Sequence, residues 1–251
     1  MDRESLLDVC VRVVDAVEQS LAGFARLYAA GERAGQYALD LVADRAALEV
    51  LDQAGLGVLS EESGLTRPDS RFVAVLDPVD GSTNASRGIP WYASSICVVD
   101  TRAEEGAQPT VAVVANLATK ERYHAVRGEG AWKDGKRLAP SRCRDLRAAI
   151  VVLSGMPKRN LGWAQFRAFG AAALDLCAVA EGIVDAFVVG QGANLAPWDY
   201  MGALLVCVEA GAVVCDMDGA GLVVWEQTAR RAVAAGATDS LLGQLRAAAR
   251  G

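Results

Sequence analysis

The stretch Asp77-Pro78-Val79-Asp80-Gly81-Ser82-Thr83-Asn84 follows directly on an apolar run at residues 72–76. The length and β-branched content of that run predict a buried strand. Pro78 is expected to end this strand, and Gly81 to permit a tight turn into a short helix that opens at Ser82. A strand that leads through a turn into a helix predicts helices packed in layers on a sheet.

Helical and strand-like patterns alternate along the rest of the chain. Apolar residues at three- and four-residue spacing predict a helix over residues 4–30, and a second helix is expected over about 41–54. Runs between 93 and 153, separated by Gly-rich turns, predict a mostly antiparallel meander. The other predicted helices are 171–181, 198–210 and Asp239–Arg250, the last capped by Thr238 or Asp239, and the other predicted strands are 57–59, 184–189, 212–215 and 223–225.

These elements predict an α/β (α+β layered) fold in one compact unit over residues 1–251. We expect a soft division near residue 145, between an N-terminal α+β half (1–145) that carries the quoted stretch and a C-terminal α/β half (146–251). With 251 residues, 52% of them hydrophobic, the chain can bury a substantial core.

The composition argues against several kinds of partner. The net charge is −6 and the Lys and Arg residues are scattered, so there is no basic stripe for nucleic acid. The N-terminus lacks a basic-then-apolar signal, and charge or glycine interrupts each long apolar stretch, so no secretion or membrane insertion is expected. The six cysteines show no CxxC pairing, which favours reduced thiols in a cytoplasmic protein.

Acidic residues end three separate apolar runs. They lie in Glu61-Glu62-Ser63-Gly64, in the quoted stretch, and in Trp198-Asp199. Carboxylates at such ends supply the hard oxygen ligands that Mg²⁺ prefers. Each block alone also fits an ordinary role, because Glu61 and Glu62 can be solvated loop charges and Asp199 can serve the start of a helix. The three blocks together favour a metal site.

The quoted stretch predicts how such a site would be built. Asp77 and Asp80 can point at a common centre with the Val79 carbonyl between them, so two metal ions can share the loop. Glu61 would complete the first metal and Asp199 the second. Two ions roughly 3.5–4 Å apart can clamp an ester phosphate and activate an attacking water.

The residues directly after Asp80 are predicted to bind the phosphate. The backbone N–H groups of Gly81, Ser82 and Thr83 would face an anion at the start of the short helix. Carboxylates beside an anion site require bridging cations. The predicted reaction is therefore hydrolysis of a phosphomonoester.

The motifs resemble those of the inositol monophosphatase family of Mg²⁺-dependent, lithium-sensitive sugar and polyol phosphatases. Glu61-Glu62-Ser63 is similar to the family's GEES motif, with Ser60 in place of the glycine. The quoted stretch is similar to DPIDGTTN, and Trp198-Asp199 with Gly202-Ala203 to WDxAAG. Two further segments support the resemblance, an AxxGxGA-like turn within 123–132 and an EAGG-like segment at 209–212.

The resemblance implies an alternating α-β-α-β-α sandwich, a homodimer, and two or three bound Mg²⁺ ions. The first ion would be held by Glu61, Asp77 and the Val79 carbonyl. The second would be held by Asp77, Asp80 and Asp199. Lithium is expected to compete at the second position.

The resemblance also implies residues that handle the attacking water. Ser82 takes the place of a family Thr and keeps its hydroxyl, and Asp44 is expected as its partner. Asp44 and Glu61 would orient the water and accept its proton, directly or through Ser82. His124, the only histidine, lies outside every motif and is expected to be structural.

Substrate recognition departs from the family pattern. The family's GTA-like turn is Gly170-Ala171-Ala172, which lacks the central hydroxyl. Inositol-selective members carry a Glu shortly before the WD motif, whereas residues 186–198 contain no acidic residue. Gln191 and Asn194 are the polar substitutes there, so inositol phosphate is not assumed.

The sequence thus predicts a phosphomonoesterase that acts on a small polyol or sugar phosphate. One alternative is another enzyme of the superfamily, acting on histidinol phosphate, a nucleotide 3′-phosphate or a sugar bisphosphate. A second alternative is a regulatory or binding protein that keeps the fold. The complete set of acidic ligands favours catalysis, because holding like charges together has a cost that a non-catalytic protein need not bear.

Overall fold

The structure is a computed structural model that describes residues 1–23, 31, 37–190 and 192–250. Its helices are α1 (Arg3–Leu21), α2 (Ala38–Ala54), α3 (Ser82–Arg87), α4 (Ala172–Ala180), α5 (Pro197–Ala210) and α6 (Asp239–Arg250). The helix predicted over 4–30 therefore ends at Leu21, and its part beyond Gly23 lies outside the described residues. In the part of the chain that is described, no helix is long and apolar enough to cross a membrane.

Eight strands form the first sheet. They are β1 (Gly57–Ser60), β2 (Gly64–Thr66), β3 (Phe72–Asp80), β4 (Ala93–Asp100), β5 (Gln108–Asn116), β6 (Arg122–Val126), β7 (Gly130–Lys133) and β8 (Lys136–Arg137). Their order is β2-β1-β3-β4-β5-β6-β7-β8. β1 and β3 are parallel and the other neighbours are antiparallel, which confirms the meander up to β8.

Five strands form the second sheet. They are β9 (Ile150–Ser154), β10 (Gln165–Arg167), β11 (Ala186–Val189), β12 (Val213–Asp216) and β13 (Val233–Gly236), in the order β10-β9-β11-β13-β12. β9 pairs in parallel with β10 and β11, so it is not the last strand of the meander. Residues 223–225, predicted as a strand, form none, although Val223 and Trp225 pack against the core. β13 was missed because its small residues carry little strand propensity.

The helices and sheets stack in five layers. α1 and α2 cover one face of the first sheet, where Ala74 and Leu76 are buried. α4 and α5 fill the space between the two sheets, against Val75 of β3 on one side and Phe187 of β11 on the other. α6 covers the outer face of the second sheet. This is the α-β-α-β-α sandwich that the sequence predicted, with alternate residues of each strand serving the layers on either side.

β3 does not end at Pro78, contrary to prediction, but continues to Asp80. Its pairing with β4 shifts between Asp77, opposite Ser95, and Asp80, opposite Ala93. The shift places one extra residue in β3, which is a β-bulge. A bulge tolerates proline because its extra residue donates no ladder hydrogen bond. The bulge leaves both aspartates at the end of a buried strand.

Candidate active site

Two neighbouring parallel strands deliver the first three carboxylates. β1 pairs with β3 up to the match of Ser60 with Leu76. The next residue, Glu61, donates its N–H to the Leu76 carbonyl at 3.2 Å, which brings Glu61 beside Asp77. Asp77 is fixed in turn, because its Oδ1 accepts a hydrogen bond from the Val79 N–H at 2.9 Å.

The fourth carboxylate comes from the first turn of α5. A Cβ atom on Gly202 would lie 2.5 Å from Ser95 Oγ, so glycine at this position lets α5 pack directly on β4. Because Ser95 is paired with Asp77, this close approach brings the N-terminal end of α5 to the end of β3. The glycine at position 202 thus allows the packing of α5 that places Asp199.

Backbone N–H groups at the starts of two helices hold the carboxylates. Asp80 Oδ2 accepts a hydrogen bond from Ala173 in the first turn of α4 at 2.7 Å. Asp199 Oδ2 accepts one from Ala196, just before α5, also at 2.7 Å. Asp199 thus accepts a hydrogen bond at the start of α5, which is the ordinary structural role that the sequence also allowed. A carboxylate has a second oxygen with free lone pairs, so this role is compatible with metal binding.

Burial is the largest cause of raised pKa values in all four carboxylates. It raises the pKa of Glu61 to about 8, assisted by the charge of Asp199, and the pKa of Asp199 to about 6. The pKa values of Asp77 and Asp80 lie well above the ordinary range, by burial and then by the charges of Glu61 and Asp199 respectively. Like charges gathered in a buried place favour bound cations.

The donor chemistry fits Mg²⁺, because buried carboxylates and a backbone carbonyl are the ligands this ion takes. Within the described ranges, however, no three His, Cys, Asp or Glu side chains form a ready-made metal-binding group. One oxygen each of Asp77, Asp80 and Asp199 accepts a hydrogen bond from a backbone N–H group, and Glu61 is hydrogen-bonded to Asp77. The ligand set Glu61, Asp77, Val79, Asp80 and Asp199 therefore stays a prediction, supported by chemistry and by the burial of like charges.

The expected water-handling residues lie next to this acidic group. Asp44 of α2 is 6% exposed, and its Oδ1 accepts a hydrogen bond from the hydroxyl of Ser60, which is fully buried. Ser82 is the first residue of α3, two positions after Asp80. The roles of Asp44 and Ser82 stay predictions. Ser60 occupies the glycine position of the GEES-like motif, where the sequence marked it only as a departure, and the structure shows that it donates a hydrogen bond to Asp44.

Two of the predicted substrate segments meet. Gly81 has a φ of 83°, and a Cβ there would lie 3.0 Å from both the Gly170 carbonyl and the Ala171 side chain. Asn84 locks the two segments together, since its Nδ2 donates to the carbonyls of Phe169 at 2.7 Å and Trp91 at 2.8 Å. The segments 81–83 and 170–172 therefore form one wall beside Asp80.

Asn194, which was also predicted to bind substrate, is not among the residues that form this wall. Asn194 is exposed and lines a cavity of about 570 Å³ together with Lys158, Arg159 and Asp218, and none of the four carboxylates lines that cavity. Gln191 lies outside the described residues.

The segment before β13 lies near the start of α5. Arg231 forms a β-bridge with Leu195, and the Arg230 guanidinium lies 5.5 Å from the centre of the Trp198 ring. No sequence motif marks Arg230, and only the tertiary fold brings it near Asp199.

The five-layered fold and its acidic group are those expected of the inositol monophosphatase family. A sequence model of the inositol monophosphatase family matches residues 31–250. The chain belongs to this family.

Relatives with assigned names point to more than one activity. A fructose-1,6-bisphosphatase/inositol-1-monophosphatase of Archaeoglobus fulgidus is 36% identical over 186 residues, covering 74% of this chain and 71% of the relative. The Nus factor SuhB of Pasteurella multocida is 38% identical over 201 residues, covering 72% and 71%. A solved Pyrococcus horikoshii structure, described as having similarities to inositol-1 monophosphatase, shows the same fold, with a TM-score of 0.87 at 22% identity over 98% of this chain and 99% of that one.

Proposed function

We propose that the protein is a Mg²⁺-dependent phosphomonoesterase that acts on a small polyol or sugar phosphate. The observation that carries the proposal is the convergence of Glu61, Asp77, Asp80 and Asp199 from three separate segments at one place, where Asp77 and Asp80 are buried and the other two are partly buried. A bound pair or trio of Mg²⁺ ions would neutralise phosphate charge and make a water molecule a better nucleophile.

The chain's own residues would then orient the reactants. The backbone at Gly81, Ser82 and Thr83 faces the ester phosphate, and the wall at 170–172 limits where the leaving group lies. Asp44, held by Ser60, and Glu61 accept the proton from the attacking water, with Ser82 keeping the water in line. No covalent intermediate is needed. Lithium sensitivity, a homodimer and a cytoplasmic location belong to this proposal as family expectations.

Phosphate release from a panel of inositol, sugar, histidinol and nucleotide phosphates tests the proposal. Release should need Mg²⁺, stop with a chelator, and be abolished in Asp80→Asn, which keeps the size of the side chain and the acceptor for Ala173. Turnover that survives in Asp80→Asn would refute the proposed role of the acidic group.

The names of the relatives keep two alternatives open. The superfamily substrates histidinol phosphate, nucleotide 3′-phosphate and sugar bisphosphate are separated by the same panel. A regulatory role is favoured by the similarity to proteins named Nus factor SuhB. Absence of release from every compound, by a folded protein that binds Mg²⁺, would move the assignment to that role.

A further inference from the structure

Asn84 of α3 comes directly after the segment 81–83 and is only 9% exposed. Its side-chain nitrogen, Nδ2, donates to two backbone carbonyls, that of Trp91 at 2.8 Å and that of Phe169 at 2.7 Å. A carboxamide nitrogen carries two N–H groups, so both of its donors are used. Phe169 is 85 residues further along the chain. One side chain therefore ties the segment 81–83 to the C-terminal half of the protein.

A tight turn after α3 brings the Trp91 carbonyl back to Asn84. The helix is capped by Gly88, whose φ of 73° lies in the left-handed region that favours glycine. The N–H of Trp91 then donates to the Ile89 carbonyl at 2.8 Å. The turn also brings the Trp91 carbonyl close to Gly81, since a Cβ on this glycine would lie 3.2 Å from that oxygen. The first acceptor of Asn84 thus belongs to the same compact unit as the segment 81–83.

The Trp91 side chain supports the second acceptor, Phe169. The centroids of the two rings are 4.9 Å apart and the rings are inclined at 43°, within the range in which aromatic pairs attract each other. The indole N–H of Trp91 donates at 2.8 Å to Asp175, a buried residue of α4. Because α4 fixes the indole, the indole gives Phe169 a fixed surface to pack on. Phe169 is therefore held by its ring as well as by its carbonyl.

The hold on Phe169 determines where the next residues lie. A Cβ on Gly170 would lie 3.3 Å from Asn84 Nδ2, and a Cβ on Gly81 would lie 3.0 Å from the Gly170 carbonyl. The two segments therefore meet backbone to backbone, with a glycine on each side of the contact. Asp80 also reaches α4, but its carboxylate is an expected metal ligand. Asn84 has no other part in the proposed chemistry, so it can be changed without removing a ligand.

We propose that Asn84 is a positioning residue of the proposed phosphatase, which holds the segment 170–172 against the segment 81–83 and so keeps the leaving group of a bound phosphate ester in line with the attacking water. This inference rests on the proposed function. Asn84 acts through the backbone of Phe169 and Gly170, since both of its N–H groups are already used. A displacement of about 1 Å at a reacting group can lower a rate about a hundredfold, so one such hydrogen-bonding side chain can have a large effect on turnover.

Substitution of Asn84 tests the inference with two readouts. Asn84→Ala removes both donors. In this variant kcat/KM for the ester that the wild type hydrolyses best in the substrate panel should fall about tenfold or more, mainly through kcat, because the leaving group loses its orientation. Inorganic phosphate has no leaving group to reach 170–172, so its inhibition constant should stay near the wild-type value. Asn84→Ser keeps one hydroxyl donor, so a smaller fall in kcat is expected.

Asn116→Ala is the matched control. Asn116 is also a buried asparagine, but its hydrogen bonds go to Pro90, Ala118 and Thr119 and so reach neither segment. This variant should keep the wild-type kcat/KM even where its melting temperature falls.

Two results would overturn the inference while leaving the proposed function intact. One is an unchanged kcat/KM in Asn84→Ala, and the other is a fall matched by an equal weakening of inhibition by inorganic phosphate. No hydrolysis of any phosphate ester by the wild-type protein would overturn the proposed function and this inference with it. If melting shows that Asn84→Ala does not fold, Asn84→Ser carries the same test with a smaller expected change.

Discussion

Replacing Ser60 by alanine tests how the proposed site holds Asp44. The hydroxyl of Ser60 is the donor to Asp44 Oδ1, and both residues are buried. A second hydroxyl, that of Ser63, reaches the same oxygen only at 3.5 Å, the limit of a hydrogen bond. Ser60→Ala therefore removes the main side-chain hydroxyl donor to a buried carboxylate and keeps the Cβ that fills the space.

The expected size of the effect follows from this geometry. A hydrogen bond to a charged group contributes about 1.5–3 kcal/mol, and about 1.4 kcal/mol corresponds to a factor of ten. Because the weak contact with Ser63 persists, we expect kcat to fall about tenfold, which corresponds to the lower limit of that energy range.

The assay is phosphate release on the substrate found by the panel, together with thermal melting. Ser94→Ala is the matched control, because Ser94 is equally buried and its hydroxyl has no hydrogen-bond partner among the described residues. Ser60→Thr should rescue part of the rate by returning a hydroxyl. An unchanged kcat in Ser60→Ala, equal to that of Ser94→Ala, would refute the assignment of Asp44 as a residue held for catalysis.

Three further outcomes are expected. Ser82→Ala should lower kcat with little change in KM, by loosening the attacking water, and an unaltered rate would remove Ser82 from the mechanism. In chelator, the wild-type protein should lose stability as pH rises from 4.5 to about 8, because the folded state keeps on Glu61 a proton that the unfolded chain releases. Bound Mg²⁺ should cancel that loss of stability. Because Asp80→Asn removes one of the like charges, this variant should melt higher than wild type in chelator near pH 8. A lower melting temperature there would contradict the inference that like charges destabilise the metal-free site. Asp175 has a pKa raised by burial to about 7, although the indole N–H of Trp91 donates to it at 2.8 Å. Asp175→Asn keeps an acceptor for Trp91 but cannot ionise. Its free energy of unfolding relative to wild type should therefore grow between pH 4 and 8, by up to a few kcal/mol. A difference independent of pH would show that Asp175 does not titrate in this range.

Local patterns predicted most of the fold because helix and strand periodicities are written into neighbouring residues. α2, α4, α5 and α6 lie within a few residues of their predicted bounds, and Thr238 caps α6 by accepting the N–H of Leu241, as expected. The failures had physical causes. β13 is built from small residues, and residues 223–225 are apolar because they pack on the core without pairing in a sheet.

The bulge in β3 shows where a local rule misleads. Pro78 breaks a regular ladder, so a strand that ends there is the simplest prediction. Only the pairing with β4 shows that the extra residue is absorbed and that the strand continues to Asp80. The motif predicted Asp77 and Asp80 as ligands, but the reason for their placement lies in the partner strand.

The sequence by itself determined the family, the layered fold and the identity of the acidic residues, because these depend on short motifs and periodic patterns. Tertiary structure decided what surrounds those residues. The match of β1 with β3, the close approach at Gly202 and the position of Arg230 beside Asp199 each join segments distant along the chain. No local pattern encodes such contacts, since they form only when the layers pack.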